Sequence, residues 1–136
     1  MKNNNLIFLI IGCFLCVNSV FAYSGHVYVT IINNSNSDYY YDNSVKFNPP
    51  GGTLETSLSA LAGQTTKNAF VAECTSYIGY PIPSGIFSYK NQINGNTCSF
   101  KFGSLGVTPL DDLNKSCTVI NTSASYGSLD ATIMIS

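Results

Sequence analysis

The sequence predicts an all-β protein: a single small antiparallel β-sandwich of about eight short strands. Apolar and polar residues alternate along most of the chain, helical periodicity is nearly absent, and turn-forming residues interrupt the alternation at short intervals. Strands of this kind have one face in the core and one in water, which is typical of antiparallel sheets. A closed barrel is the second choice, because it is built from the same strands.

Four segments alternate most clearly: 26–31, 68–75, 97–102 and 129–135. Every second residue in each segment is apolar, so these residues are expected to share the buried face of their strand. The residues predicted to face the core are Val27, Val29, Ile31, Phe70, Ala72, Cys74, Cys98, Phe100, Phe102, Leu129, Ala131, Ile133 and Ile135.

Four further strands are predicted at 38–47, 53–60, 85–90 and 116–122. Runs rich in Asn, Pro, Gly and Ser bound them, and these residues favour turns. Within 53–62, Leu54, Leu58 and Leu61 also fall at helical spacing, so a helix is the alternative for that segment.

Residues 1–22 are predicted to be a cleaved secretory signal, which leaves 23–136 as the β-sandwich domain. Lys2 precedes an apolar run at 6–17, and small or short residues lead to a cleavage site after Ala22. The run is shorter than the roughly 20 residues that span a bilayer, which disfavours a membrane anchor. Cys13 makes a lipoprotein signal a further alternative. The mature protein is therefore expected to be secreted and extracellular.

Charged residues make up only 10% of the 136 residues, and the formal net charge is −1. Ordinary soluble domains contain roughly 25% charged residues. This composition excludes a nucleic-acid-binding surface, which needs a strong excess of basic residues. The chain also has no arginine, the usual bidentate ligand of phosphates and carboxylates, so acidic or phosphorylated partners are disfavoured.

No catalytic or cofactor-binding motif is recognisable, so the sequence predicts neither an enzyme nor a cofactor. His26 is the single histidine, and no nucleophile motif accompanies it. One histidine and dispersed cysteines do not provide the ligand spacing of a transition-metal site, so no metal is predicted. Calcium is less easily dismissed, because 111–114 and Asp38 with Asp42 and Asn43 offer oxygen ligands on predicted loops.

Removal of the signal would leave three cysteines, Cys74, Cys98 and Cys117. An odd number means that at least one is unpaired or is paired with another molecule. All three pairings are open. Cys98 with Cys117 is favoured, because the short, turn-rich sequence between them suits neighbouring strands.

The chain has nine tyrosines and no tryptophan. Consecutive residues of a strand point to opposite faces, so at least one ring of the run at 39–41 must be exposed. An exposed tyrosine can contact a sugar ring, a lipid headgroup or a protein, because its ring is apolar and its hydroxyl is polar. The predicted ligand-binding residues are Tyr39, Tyr40, Tyr41, Tyr77 and Tyr80.

Sequons make Asn33, Asn114 and Asn121 glycan acceptors if the host has the glycosylation machinery.

Taken together, these features predict a secreted, non-catalytic binding protein whose partner is an extracellular glycan, a membrane surface or a protein. The alternative is a membrane-active or self-assembling β-protein, because low charge and alternating strands also suit association at sheet edges and oligomeric barrels in bilayers.

Overall fold

A computed structural model describes residues 22–42, 45–48, 51–110 and 116–136. These residues form two mostly antiparallel sheets that face each other, which confirms the predicted β-sandwich over the closed barrel. The strands are β1 (Tyr23–Asn33), β2 (Tyr39–Tyr41), β3 (Lys46–Phe47), β4 (Thr53–Ser57), β5 (Gln64–Ser76), β6 (Gly85–Asn91), β7 (Thr97–Gly103), β8 (Gly106–Pro109), β9 (Cys117–Ser125) and β10 (Ser128–Ile135). No helix in the described ranges is long and apolar enough to cross a membrane.

The first sheet has the strand order β4-β5-β1-β10-β9. Among the pairs of this sheet that the structure describes, β1 and β10 run parallel and the others are antiparallel. The parallel pairing extends from His26 opposite Ser128 to Asn33 opposite Ile135. The most regular apolar alternation of the sequence, at 26–31 and 129–135, therefore lies at the centre of this sheet.

The second sheet has the strand order β2-β6-β7-β8, and β3 also pairs with β6. Tyr41 of β2 lies opposite Tyr89, whereas Lys46 of β3 lies opposite Ile86. The strand predicted at 38–47 is therefore two short strands that follow the same edge of β6 in succession.

Aromatic rings join the two sheets in the core. Phe70 of the first sheet stacks on Phe87 of the second, with ring centroids 4.4 Å apart, and contacts Phe102 edge-on at 5.4 Å. Phe87 in turn stacks on Phe100 at 5.4 Å. All thirteen residues that were predicted to face the core are buried, because the strict alternation leaves no other face for them.

A disulfide joins Cys98 of β7 to Cys117 of β9, with the two Cα atoms 5.9 Å apart. The favoured pairing is thus confirmed, and the bond ties the second sheet to an edge strand of the first. Cys74 is buried and free. Closing a loop of this length in the unfolded chain is worth roughly 3 kcal/mol of stability.

Several predicted boundaries differ from the structure. The segment at 53–62 begins as strand β4, and its helical alternative is wrong, because Thr53 and Leu54 pair with β5 across the sheet. Leu58 and Leu61, whose spacing suggested a helix, are instead exposed. Strand β8 was not predicted, since it has only four residues and ends in a proline.

Candidate functional site

The five predicted ligand-binding tyrosines lie at opposite ends of the sandwich. Tyr39 pairs with Asn91, the last residue of β6, whereas Tyr77 and Tyr80 belong to the connection that leads into the first residue of β6. The fold therefore does not bring the five together, and each end has to be considered separately.

At the β2 end, the three consecutive tyrosines alternate as the sequence predicts. Tyr39 is buried, and its backbone N–H and C=O both bond to Ala60. Tyr41 is half-buried against Phe70 and Tyr89, and burial raises the pKa of its hydroxyl. Of the three, only Tyr40 is exposed, at 37%. Two of the three predicted contact residues are thus part of the core.

At the opposite end, Tyr23, Tyr77, Ile78, Tyr80 and Tyr126 form what we call the tyrosine cluster. The Tyr80 ring meets the ring of Tyr23 edge-on at 4.8 Å and that of Tyr126 edge-on at 6.1 Å. Ile78 and Tyr126 are about nine-tenths exposed, at 89% and 91%, so these side chains point into solvent rather than into the core. The cluster is an aromatic surface built from three separate segments of the chain.

Strand pairing brings these three segments to one end. Tyr23 begins β1 opposite Ser76, the last residue of β5. The hairpin between β9 and β10 lies on the other side of β1, where the His26 N–H donates a 2.7 Å hydrogen bond to the Gly127 carbonyl. Tyr126 precedes Gly127, whose φ of 80° makes the turn. The central strand of the sheet thus places all three segments side by side.

The loop that carries Tyr77 and Ile78 is held at both of its ends. The Ser76 hydroxyl accepts a hydrogen bond from the Ile78 N–H and donates one to the Ile78 carbonyl, both 3.1 Å long. At the other end, the backbone of Pro81 packs directly on Gly25, where any Cβ would collide with the Pro81 carbonyl. The exposed side chains therefore project from an anchored loop.

The end of the molecule around the tyrosine cluster carries no charged side chain, and cleavage after Ala22 would add the α-amino group of Tyr23. Segments 22–25, 76–84 and 124–129 contain no acidic or basic residue. The polar groups that they offer are tyrosine and serine hydroxyls and backbone atoms. A surface of this kind combines apolar area with weakly polar edges, which suits contact with an equally amphipathic partner.

A second candidate site is a groove of about 190 Å³ on the outer face of the first sheet. Its walls are Tyr28, Thr30, Asn68, Asn121, Ser123, Asp130, Ala131 and Thr132. The pairing of β1 with β5 shifts register between Val29 and Ile31, and that of β10 with β9 shifts between Thr132 and Ile133. Asn68 adopts a φ of 50°, which is uncommon for a residue other than glycine. The groove thus lies where the sheet is irregular, and such irregularities re-aim side chains.

The predicted glycan acceptors have different surroundings. The Asn33 side chain is fully buried, and its Nδ2 donates to the carbonyls of Ser37 and Ala60 at 2.8 and 2.7 Å. The fold leaves no room for a glycan on this nitrogen, because the alternation of β1 turns Asn33 inward. Asn121 is exposed on β9 and lines the groove. Asn114 lies outside the described residues.

Sequence reasoning missed Tyr23 and Tyr126 in the cluster and Tyr28 in the groove. None of the three stands in a tyrosine run, and their sequence positions are far apart, so only strand pairing reveals that they have aromatic or polar neighbours.

A scan against protein-family models and a search of curated proteins found no match to this chain.

Proposed function

We propose that this protein is a secreted, non-catalytic binding protein that attaches to a lipid surface outside the cell through the tyrosine cluster. The observation that carries the proposal is Ile78, which is 89% exposed on an anchored loop, with Tyr77 before it and Tyr80 two residues after it. Transfer of this exposed isoleucine side chain from water into an apolar layer is favourable. Full burial of such a side chain contributes about 1.5–3 kcal/mol.

Tyrosine is enriched at membrane–water interfaces, where its ring reaches the apolar region and its hydroxyl remains among the headgroups. The cluster offers this arrangement at an end of the molecule without charged side chains. Specific sugar recognition needs several convergent polar side chains in a concave site, and the cluster has none beyond hydroxyls. A neutral lipid headgroup layer therefore fits this surface better than a glycan.

The leader-like sequence at 1–22 and the disulfide between Cys98 and Cys117 support a location outside the cell. Disulfides form and persist mainly in oxidising compartments. No side chain of the cluster is charged, and cleavage after Ala22 would add only the α-amino group of Tyr23. Attachment should therefore depend on salt far less than attachment through a basic patch does.

The test is co-flotation of the purified protein with phosphatidylcholine vesicles. Ile78→Ser removes most of the transfer free energy of the isoleucine side chain. A loss of about 1.4 kcal/mol lowers a partition constant tenfold, so partitioning should weaken by about that factor. The matched control is Ile93→Ser, since Ile93 is equally exposed, at 88%, in the turn between β6 and β7 at the opposite end. No binding to vesicles, or equal losses in the two variants, would contradict the proposal. Release of a trapped dye would distinguish membrane permeabilisation from attachment.

The groove on the first sheet favours a second candidate function, glycan binding. Its lining includes Tyr28, two asparagines (Asn68 and Asn121) and Asp130. Such residues can donate and accept hydrogen bonds, and a tyrosine ring can also stack on the apolar face of a sugar. A glycan array tests it: binding by the wild type that is lost in Tyr28→Ala but kept in Ile78→Ser would assign recognition to the groove rather than to the tyrosine cluster.

A further inference from the structure

Three side chains with metal-ligating groups converge on the outer face of the first sheet. His26 of β1 pairs with Glu73 of β5, and their Nε2 and Oε2 atoms are 3.7 Å apart. Glu55 of the next strand, β4, completes the group, and one ligand atom from each residue lies within 4.8 Å of the other two. We call these three residues the His–Glu–Glu triad.

The backbone of three adjacent strands sets the positions of the triad. Glu73 lies opposite both His26 on one side and Thr53 on the other, so β5 is the central strand of the group. The register between β4 and β5 shifts between Leu54 and Thr56, which makes Glu55 the extra residue of a bulge. The bulge brings a second carboxylate to the side of Glu73.

The imidazole of the triad has a restricted orientation. The His26 ring stacks on the ring of Tyr28, with centroids 5.7 Å apart and planes inclined by 13°. His26 and Glu73 are each about one-third exposed, at 30% and 37% of their side chains. Ligand groups on a sheet and against a neighbouring ring lose less conformational freedom on binding an ion than groups on a loop.

Two neighbouring carboxylates repel each other unless a positive charge lies between them, and a divalent cation supplies it. Imidazole nitrogen with carboxylate oxygens is a ligand set that Zn²⁺ accepts in tetrahedral sites. Calcium instead takes six to eight oxygen ligands, whereas the two carboxylates of the triad offer at most four and the third ligand is a nitrogen. Cys74 follows Glu73 in the chain but is buried on the opposite face of β5, so its thiol is not part of the group.

We propose that His26, Glu73 and Glu55 bind one Zn²⁺ ion, with the remaining coordination position open to water or to an external ligand. Ligand atoms of a tetrahedral zinc site are roughly 3.4 Å apart, given bonds of about 2.0–2.1 Å. The exposed Glu55 side chain can close the remaining separation by rotation about its own bonds. The site does not depend on lipid attachment, because it lies on the sheet face and shares no residue with the tyrosine cluster.

The test is calorimetric titration of the metal-free, purified protein with zinc chloride. We expect one saturable site per chain. His26→Ala and Glu73→Gln should each lower the affinity by at least tenfold, because even the loss of a group that only supports a metal ligand costs about 10–100-fold. Asp130→Asn is the matched control, because Asp130 is an acidic residue on the outer face of the same sheet that lies outside the triad. It should leave zinc affinity unchanged.

The single histidine gives a second, direct readout. Because His26 is the single histidine, an NMR spectrum contains the nitrogen signals of one imidazole, which can be assigned without variants. Zinc should shift the Nε2 signal, and the shift should be complete at one equivalent of ion. If His26→Ala does not fold, Glu55→Gln decides the matter, because Glu55 is exposed and outside the core. Absence of a one-to-one site, unchanged affinity in the triad variants, or displacement of zinc by an equal concentration of calcium would overturn the proposal.

Discussion

At the scale of single residues, alternation along a strand gives chemically identical side chains opposite roles. Tyr39 is buried and Tyr40 is exposed, although they are neighbours in the chain. Asn33 and Asn34 differ in the same way. The Asn33 amide bonds to the Ala60 carbonyl inside the protein, whereas the Asn34 amide bonds to the Met134 sulfur at the surface. Residue type alone therefore does not define a site in this asparagine- and tyrosine-rich chain.

Substitution of Asn33 by Ala should destabilise the protein by about 2–3 kcal/mol. The Asn33 side chain makes hydrogen bonds to Ser35, Ser37 and Ala60, and its loss leaves the buried carbonyl of Ala60 without that donor. Urea denaturation measures the change. Asn34→Ala is the control and should cost less than about 0.5 kcal/mol. Equal effects of the two substitutions would contradict the structural role of Asn33.

At the scale of elements, β1 organises both proposed sites. Its first residue, Tyr23, belongs to the tyrosine cluster, and His26 belongs to the triad. Gly25 lies between them at the point where the Pro81 backbone packs on the strand. A central strand with a partner on each side is well suited to this role, because pairing holds it from two directions.

Gly25→Ala should displace the loop that leads into β6, because the new Cβ would collide with the backbone of Pro81. Overpacking of this kind costs about 1–3 kcal/mol. Since Tyr77, Ile78 and Tyr80 lie on this loop, vesicle binding should fall together with stability, as flotation and urea denaturation would show. Ser24→Ala alters an exposed neighbour and should leave both unchanged. Full vesicle binding by Gly25→Ala would show that the Pro81 contact does not position the cluster.

The disulfide links two strands that are not hydrogen-bonded to each other. Replacing both Cys98 and Cys117 by Ala should lower the free energy of unfolding by about 3 kcal/mol, since the two are 19 residues apart. Reduction of the wild type should lower the free energy of unfolding by the same amount in urea denaturation. The remaining cysteine of the described residues, Cys74, is free, so reduction breaks only the bond between Cys98 and Cys117. A midpoint that is insensitive to reductant would contradict this expectation.

At the scale of the whole molecule, an aromatic core between two sheets makes stability sensitive to alkaline pH. The hydroxyl of Tyr89 lies in this core and donates a 2.9 Å hydrogen bond to the Ala69 carbonyl, and burial raises its pKa above the ordinary value of 10.0. Burial likewise raises the pKa of the Cys74 thiol above 9.0. Both groups therefore bind their protons more tightly in the folded chain than in the unfolded one.

The stability that these two groups contribute should be fully present at neutral pH and should fall as the pH rises through about 9–10, where the unfolded chain loses both protons. Tyr89→Phe should lose about 1 kcal/mol at neutral pH with its hydrogen bond, yet show a smaller alkaline decline than the wild type. Urea denaturation between about pH 7 and about pH 11 measures both. If the free energy of unfolding falls equally with rising pH in the wild type and in Tyr89→Phe, then Tyr89 does not contribute to the alkaline loss of stability.

Alternation in the sequence by itself determined the all-β class and the inward face of the main strands, including Val27, Phe100 and Leu129. This succeeded because the two-residue period of a strand is a local property of the backbone. The sequence favoured the pairing of Cys98 with Cys117 but left the other two open, and the expectation of neighbouring strands was wrong, because β7 and β9 lie in different sheets. The split of the segment at 38–47 and the strand β8 were missed, because very short strands are defined by their partners rather than by their own pattern.

Only the tertiary structure decided which residues meet. The parallel pairing of the first and last strands places Tyr126 beside the start of β1, and the bulge of β4 brings Glu55 to Glu73 and His26. Backbone hydrogen bonds between strands are alike for almost every residue type, so sequence does not specify strand order locally. Order and register arise from packing two whole sheets around one core, and that packing assembles the tyrosine cluster and the His–Glu–Glu triad from distant parts of the chain.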